Sequence, residues 1–95
     1  MLNIRRVVLD VDKALHRPEL IDIAEAIVAV PGVESANIAV NEIDVETIGT
    51  NITVEGSKIN YSSLIRAIEN SGAVVHSIDE LVVGERLIEH IPRKR

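Results

Sequence analysis

Two groups of polar residues in this chain have types and spacing that chemistry could use. Asp10 and Asp12 fall on one side of an alternating stretch, and Glu42, Asp44 and Glu46 close another. Carboxylates gathered without a counter-charge repel one another, so such a cluster asks for a cation or a lysine among them. Hard oxygen donors suit calcium or magnesium and not zinc. Asp10, Asp12, Glu42, Asp44 and Glu46 are therefore the candidate ligands of a divalent cation or the acids of a hydrolytic centre, alone or completed across a subunit boundary. The plainer alternative is a solvated acidic rim, since the chain lacks the Asp-x-Asp-x-Asp-Gly spacing of a calcium loop.

The second group lies in residues 72–84, where His76, Ser77, Asp79 and Glu80 interrupt a Val/Ile run bracketed by Gly72 and Gly84. Strands that only fill a core read as apolar runs, so this interruption marks a pairing, a site or an interface. With Val75 and Ser77 toward the helices, His76 stands on the opposite sheet face with Val74, Ile78 and Val8, and with Asp10 where the register brings it there. Burying it would require partners for both ring nitrogens. As a base it has no evident nucleophile, so His76 and Ile78 are expected at an interface. Asp79 and Glu80 have simple partners in Arg5 and Arg6, as cross-strand ion pairs of ~0.2–1 kcal/mol each if exposed.

Positioning these groups takes six elements. Val7, Leu9 and Val11 alternate against Arg6, Val8, Asp10 and Asp12, a half-buried strand over residues 4–12. From Pro18 the spacing turns helical, with Leu20, Ile23, Ala24, Ile27 and Val28 on one face, and Pro31-Gly32 stops the helix. Residues 33–46 read as a second strand whose phase slips near Asn41-Glu42, which predicts a bulge or strand end there. A short turn near 47–49 leads to a third strand closed by Gly56-Ser57. Asn60 or Ser62 caps a second helix with Leu64, Ile65 and Ile68 inward and a glycine-type end at 70–72. Residues 72–84 supply the fourth strand.

This order is the split βαβ, or ferredoxin-like, arrangement: an α+β fold, βαββαβ, with a four-stranded antiparallel sheet in order 4-1-3-2 and two helices on one face. The other face is left bare and must be polar or meet a partner. Residues 1–84 form the domain and 85–95 a C-terminal arm with a basic tail. Leu87, Ile88 and Ile91 in that arm sit in a charged frame, so Leu87 and Ile88 join His76 and Ile78 as expected interface residues.

Composition narrows the function. Ninety-five residues suffice for one two-layer core. That core must be aliphatic, because the chain has one Tyr and no Phe or Trp. Base-stacking platforms are absent, and a net charge of −5 disfavours nucleic acid. The lack of cysteine removes disulfides, thiolate metal sites and a Cys nucleophile. The apolar runs fall far short of the ~20 residues that span a bilayer, so a soluble cytoplasmic protein is expected.

Three families share the topology. RNA-recognition modules carry aromatics on strands 1 and 3, where this chain has Val8, Asp10, Asn51 and Thr53. Heavy-metal-associated domains are similar in Pro31-Gly32-Val33, residues 52–56 and residues 64–72, but Lys13-Ala14-Leu15-His16-Arg17 stands in place of their Cys-x-x-Cys. Small-molecule-sensing ACT domains resemble residues 17–24, with Glu19 where their loop carries glycine. A broader resemblance rests on Leu9-Asp10-Val11, on Asn41-Glu42-Ile43-Asp44-Val45-Glu46-Thr47, on Ile52-Thr53-Val54-Glu55-Gly56 and on Val75-His76-Ser77-Ile78-Asp79-Glu80. Together these resemble the archaeal domain of unknown function family 211. The resemblance implies a stand-alone ferredoxin-like domain that forms oligomers, with no established activity. That family commonly has Lys-Pro after strand 1, where this chain has Asp12-Lys13-Ala14.

The expected function is a non-enzymatic, oligomeric binding or regulatory module whose partner is another copy of itself. The alternatives are a protein that binds calcium or magnesium through the acidic group, and an ACT-like sensor of a small-molecule ligand. No glycine-rich phosphate loop and no Ser-His-Asp spacing names a reaction.

Overall fold

Alternation in the first strand sorts its side chains cleanly onto two faces. Val7, Leu9 and Val11 are fully buried, whereas Arg6, Val8, Asp10 and Asp12 are half-buried on the other side. A computed structural model describes residues 2–93. Its elements are β1 (Ile4–Ala14), α1 (Leu20–Val28), β2 (Val33–Ile43), β3 (Thr47–Gly56), α2 (Tyr61–Asn70) and β4 (Val74–Val83).

The four strands form one antiparallel sheet in the order β2-β3-β1-β4, which counted from the β4 edge is the succession 4-1-3-2. β1 runs past the expected end at Asp12 because Lys13 and Ala14 still pair with Ile48 and Thr47 of β3. The β2–β3 turn sits at 44–46, earlier than the expected 47–49. Asp44 makes it: its backbone N–H donates to the Thr47 carbonyl at 2.8 Å, and its carboxylate accepts from the Val45 N–H at 2.7 Å. The phase slip in β2 corresponds to a register shift between Val40 and Glu42.

Both helices cover the same sheet face. Ile23 and Ile27 of α1 and Leu64 and Ile68 of α2 form one buried cluster with Val7, Leu9, Val11, Ile52 and Val54. Each such side chain contributes roughly 1.5–3 kcal/mol by leaving water. The start of α1 is tied by the Glu19 N–H donating to the Asp22 carboxylate at 2.9 Å. Asn60 caps α2, its side-chain oxygen accepting from the Ser63 N–H at 3.1 Å. Gly72 ends the helix region with φ +106°, a conformation that favours glycine.

One buried cation stands among the aliphatics. Lys13 is 6% exposed, and its Nζ donates to the carbonyls of Ala14 and Leu15 at 2.7 and 3.3 Å. It fastens the chain where β1 gives way to the loop leading to α1. At the other end of the molecule the Gly84 N–H donates to the Asn3 carbonyl at 2.8 Å, after which residues 85–93 form neither helix nor strand. Lys94 and Arg95 of the expected basic tail lie outside the described residues. Among the described residues, no helix is long and apolar enough to cross a membrane.

Candidate functional site

The bare sheet face carries a cavity of about 430 Å³ lined by Asp10, Asp12, Asn41, Glu42, Gly49 and His76. All four strands contribute to it. β1 supplies the two aspartates, β2 supplies Asn41 and Glu42 at its register shift, β3 supplies Gly49 and β4 supplies His76. Gly49 leaves room beneath them: a Cβ there would stand 2.9 Å from the Asn41 side-chain oxygen and 3.5 Å from an Asp12 carboxylate oxygen. Asn41 is held in place by donating through Nδ2 to the Asn51 side-chain oxygen at 3.0 Å.

Sheet irregularity decides what meets what. Asp12 lies opposite Val74, but Asp10, two residues back, lies opposite Ser77, three residues on. A register shift between Asp10 and Val11 makes the difference, bringing His76 toward Asp10. His76 Nδ1 stands 3.9 Å from the Asp10 carboxylate, beyond hydrogen-bond reach. Its side chain is exposed on the bare face, as the parity of Val75 and Ser77 predicts.

Of the five candidate acids, the cavity gathers Asp10, Asp12 and Glu42. Asp44 is spent on the β2–β3 turn, and Glu46 lies in that exposed turn. Among the described residues, no three His, Asp or Glu side chains are grouped closely enough to hold one metal ion together. The site can attract a cation, but it contains no Ser, Cys or Lys that would act as a nucleophile. Asn41 and Gly49 escaped the sequence reading, although the phase slip at Asn41-Glu42 marked the place.

A second polar centre lies toward the other end of β1. Arg6 donates through Nε to Glu55 at 2.7 Å and through its terminal nitrogens to Glu89 at 2.8 and 3.0 Å and to Glu80 at 3.3 Å. The expected Arg6–Glu80 pair is therefore present, within a larger cluster. Its bonds to Glu89 and then Glu55 raise the guanidinium pKa further above its ordinary value. Reciprocally, Arg6 holds the Glu89 carboxyl below the usual glutamate range. Asp79 instead accepts from the Ser77 hydroxyl at 2.8 Å. Arg5 falls at a register shift between Ile4 and Arg6, and its buried Nε has no hydrogen-bond partner among the described residues. Glu89 lies 83 positions from Arg6, so no local pattern could have announced the contact.

The expected interface residues are all at the surface. Ile78 and Leu87 are exposed at 39% and 38%, and Ile88 at 70%. They have company on β4 and the arm, where Val74, Leu81, Val83 and Ile91 are also exposed. β4 is an edge strand, with β1 on one side and, among the described residues, no strand on the other.

A four-stranded antiparallel sheet with two helices on one face, in the order βαββαβ, defines a ferredoxin-like α+β domain. The chain belongs to the domain of unknown function family 211, described as an uncharacterized ArCR family, whose model matches residues 5–95. It is 38% identical over 91 residues to the uncharacterized protein MJ0319 of Methanocaldococcus jannaschii, a match covering 96% of this chain and 93% of that protein. The family match runs through the arm as well as the sheet and helices.

Proposed function

We propose that this chain is a non-enzymatic binding module that works as a homo-oligomer, its copies meeting through β4 and the C-terminal arm. The observation that carries this reading is the run of exposed aliphatics along an edge strand. Val74, Ile78, Leu81 and Val83 lie on β4, and Ile88 and Ile91 follow in the arm. Monomeric proteins blunt such edges or cover them, because unpaired strand backbone and apolar surface together invite association. A second copy is a suitable cover, since a two-fold axis lets one patch meet itself. Light scattering coupled to size exclusion tests the reading. A defined oligomer at micromolar concentration supports it, and a plain monomer there refutes it.

The cavity supports a second reading, in which one or two of Asp10, Asp12 and Glu42 bind calcium or magnesium and water or a neighbouring subunit supplies the other ligands. Calorimetric titration after chelator treatment decides it: heat release with a raised melting temperature supports a site, and neither refutes it. The ACT-like sensor reading has less to stand on. Glu19 occupies the start of α1 in an ordinary extended conformation, with its N–H engaged by Asp22.

A further inference from the structure

The two edges of the sheet are not equally protected. Along β4 three register shifts break the backbone spacing, and Asp79 and Glu80 add charge, so that strand offers a neighbour its exposed aliphatics more than its backbone. β2 is the other edge, and among the described residues no strand pairs with its outer side. From Ser35 to Val40 it faces β3 in unbroken register, and Ser35-Ala36-Asn37-Ile38-Ala39-Val40 holds no charge, proline or glycine. The unpaired N–H and C=O groups of such an edge are a template for another strand.

The helix layer above this edge is open as well. α1 packs against β2, with Ile23 and Ile27 buried. β1 and β2 are parallel, with β3 antiparallel to both between them, and a crossover of this kind is right-handed. At about 100° per residue on a right-handed helix, Ala24, Val28 and Ile21 then fall on the flank toward the β2 edge, away from α2. Ile21 and Val28 are exposed at 61% and 54%, and Val40 at 44% on the helix side of β2, in line with Thr50 and the buried Val11. A lone extended peptide would pair with β2 and leave Ile21 and Val28 in water. A second copy brings a strand and a helix at once. Two helices cover four strands here, about two strand spacings or ~10 Å apiece, so a sheet continued through β2 seats the second α1 at the ~8–10 Å spacing of packed helices.

We propose that β2 pairs antiparallel with β2 of a second copy about a two-fold axis, joining the two sheets into one with α1 beside its counterpart. This contact goes beyond the assembly through β4 and the arm and uses the opposite edge, so the two can coexist. Residues directly opposite in an antiparallel pair share a face, so the axis passes through a residue. Asn37 and Ile38 are the two positions that overlap the neutral stretch most fully. With the axis at Ile38, Glu34 would stand against Glu42, and like charges directly opposed destabilise a sheet. With the axis at Asn37, Glu34 meets Val40, Ser35 meets Ala39, and the Asn37 amide meets its own copy, donor to acceptor. Asn37 is therefore the centre of the contact.

The chain has no cysteine, so a single introduced thiol reports the contact on the full-length protein. Asn37 is exposed, and the pairing sets its two copies with Cα atoms ~4.5–5.5 Å apart, within disulfide range. Asn37→Cys, mildly oxidised at micromolar concentration, is expected to run mostly as crosslinked dimer on a non-reducing gel. Ala39→Cys, whose two copies stand four residues or ~13 Å apart along the strands, is expected to give little. Asn37→Lys puts two like charges at the axis and is expected to raise the concentration for half-assembly of this pair about tenfold in light scattering. A crosslinked dimer that Asn37→Lys turns wholly to monomer supports the β2 contact and removes the β4 one. An oligomer in which Asn37→Cys does not crosslink, in which Ala39→Cys crosslinks as readily, or which Asn37→Lys leaves unmoved overturns the β2 contact while leaving assembly through β4 intact. A monomeric wild type overturns both.

Discussion

Lys13 offers the sharpest test of how this fold is held together. Its stem is buried on the helix-covered side of β1, and its ammonium donates to the carbonyls of Ala14 and Leu15. Lys13→Met keeps the stem and removes the charge. Hydrogen bonds to a charged donor are worth ~1.5–3 kcal/mol when nothing replaces them. Ala14 and Leu15 are exposed, so water takes over part of that role. The expected loss is about 1–2 kcal/mol. Lys13→Ala removes three methylenes as well, at about 0.8 kcal/mol each, for a total of roughly 4 kcal/mol. With a urea slope of ~1.3 kcal/mol per molar, the midpoints fall by about 1 M and about 3 M. Far-ultraviolet circular dichroism at one fixed protein concentration reads both, which matters because assembly would shift the midpoints by mass action. A Met variant as stable as the wild type would refute the reasoning. It would mean that burying the ammonium costs as much as its two carbonyl bonds return, leaving Lys13 as an apolar stem.

Acid should loosen the arm before it touches the domain. Arg6 holds Glu89 below the ordinary glutamate range, so this contact is fully present above that range and is lost as the pH falls through the lowered value. Order parameters of the backbone amides of residues 85–93, from nuclear magnetic resonance relaxation, should fall as the pH drops through that lowered value, and Glu89→Gln should show the looser arm already at neutral pH. Unchanged order parameters in that variant would show that the ion pair does not hold the arm. Gly56→Ala should be severe, because its new Cβ would sit 1.9 Å from the Gly32 carbonyl oxygen, a backbone atom that cannot swing aside. A loss of at least about 3 kcal/mol is expected, lowering the melting temperature by ~12–24 °C; an unchanged melt would contradict it.

The fold was legible because its signals are local. The alternation of Val7, Leu9 and Val11, the helical spacing of Ile23 and Ile27, the cap at Asn60 and the stop at Gly72 each depend on neighbours a few residues away. The β2–β3 turn was misplaced by three residues because Ile48 continues an alternating pattern that hides where pairing begins. Asp44, read as a metal ligand, instead ties that turn with its side chain and backbone. The cavity was half legible. The acids of β1 and β2 stood out and His76 was placed on their face, but Asn41, Gly49 and the pairing of Asp10 with Ser77 depend on register shifts that add residues to β2 and β4. The Arg6 cluster was the least legible part, since Glu55 and Glu89 reach it from β3 and from the arm.

Gly84 sets the departure of the arm, its N–H held by the Asn3 carbonyl and its α-carbon facing open space. Its φ is +116°, and a Cβ built there would have no atom within 4 Å. The arm's heading is thus written in one backbone torsion, one main-chain hydrogen bond to Asn3 and one ion pair. Under the proposed assembly, a change at any of these points re-aims the surface that a second copy would meet while leaving the buried cluster of the sheet and helices untouched.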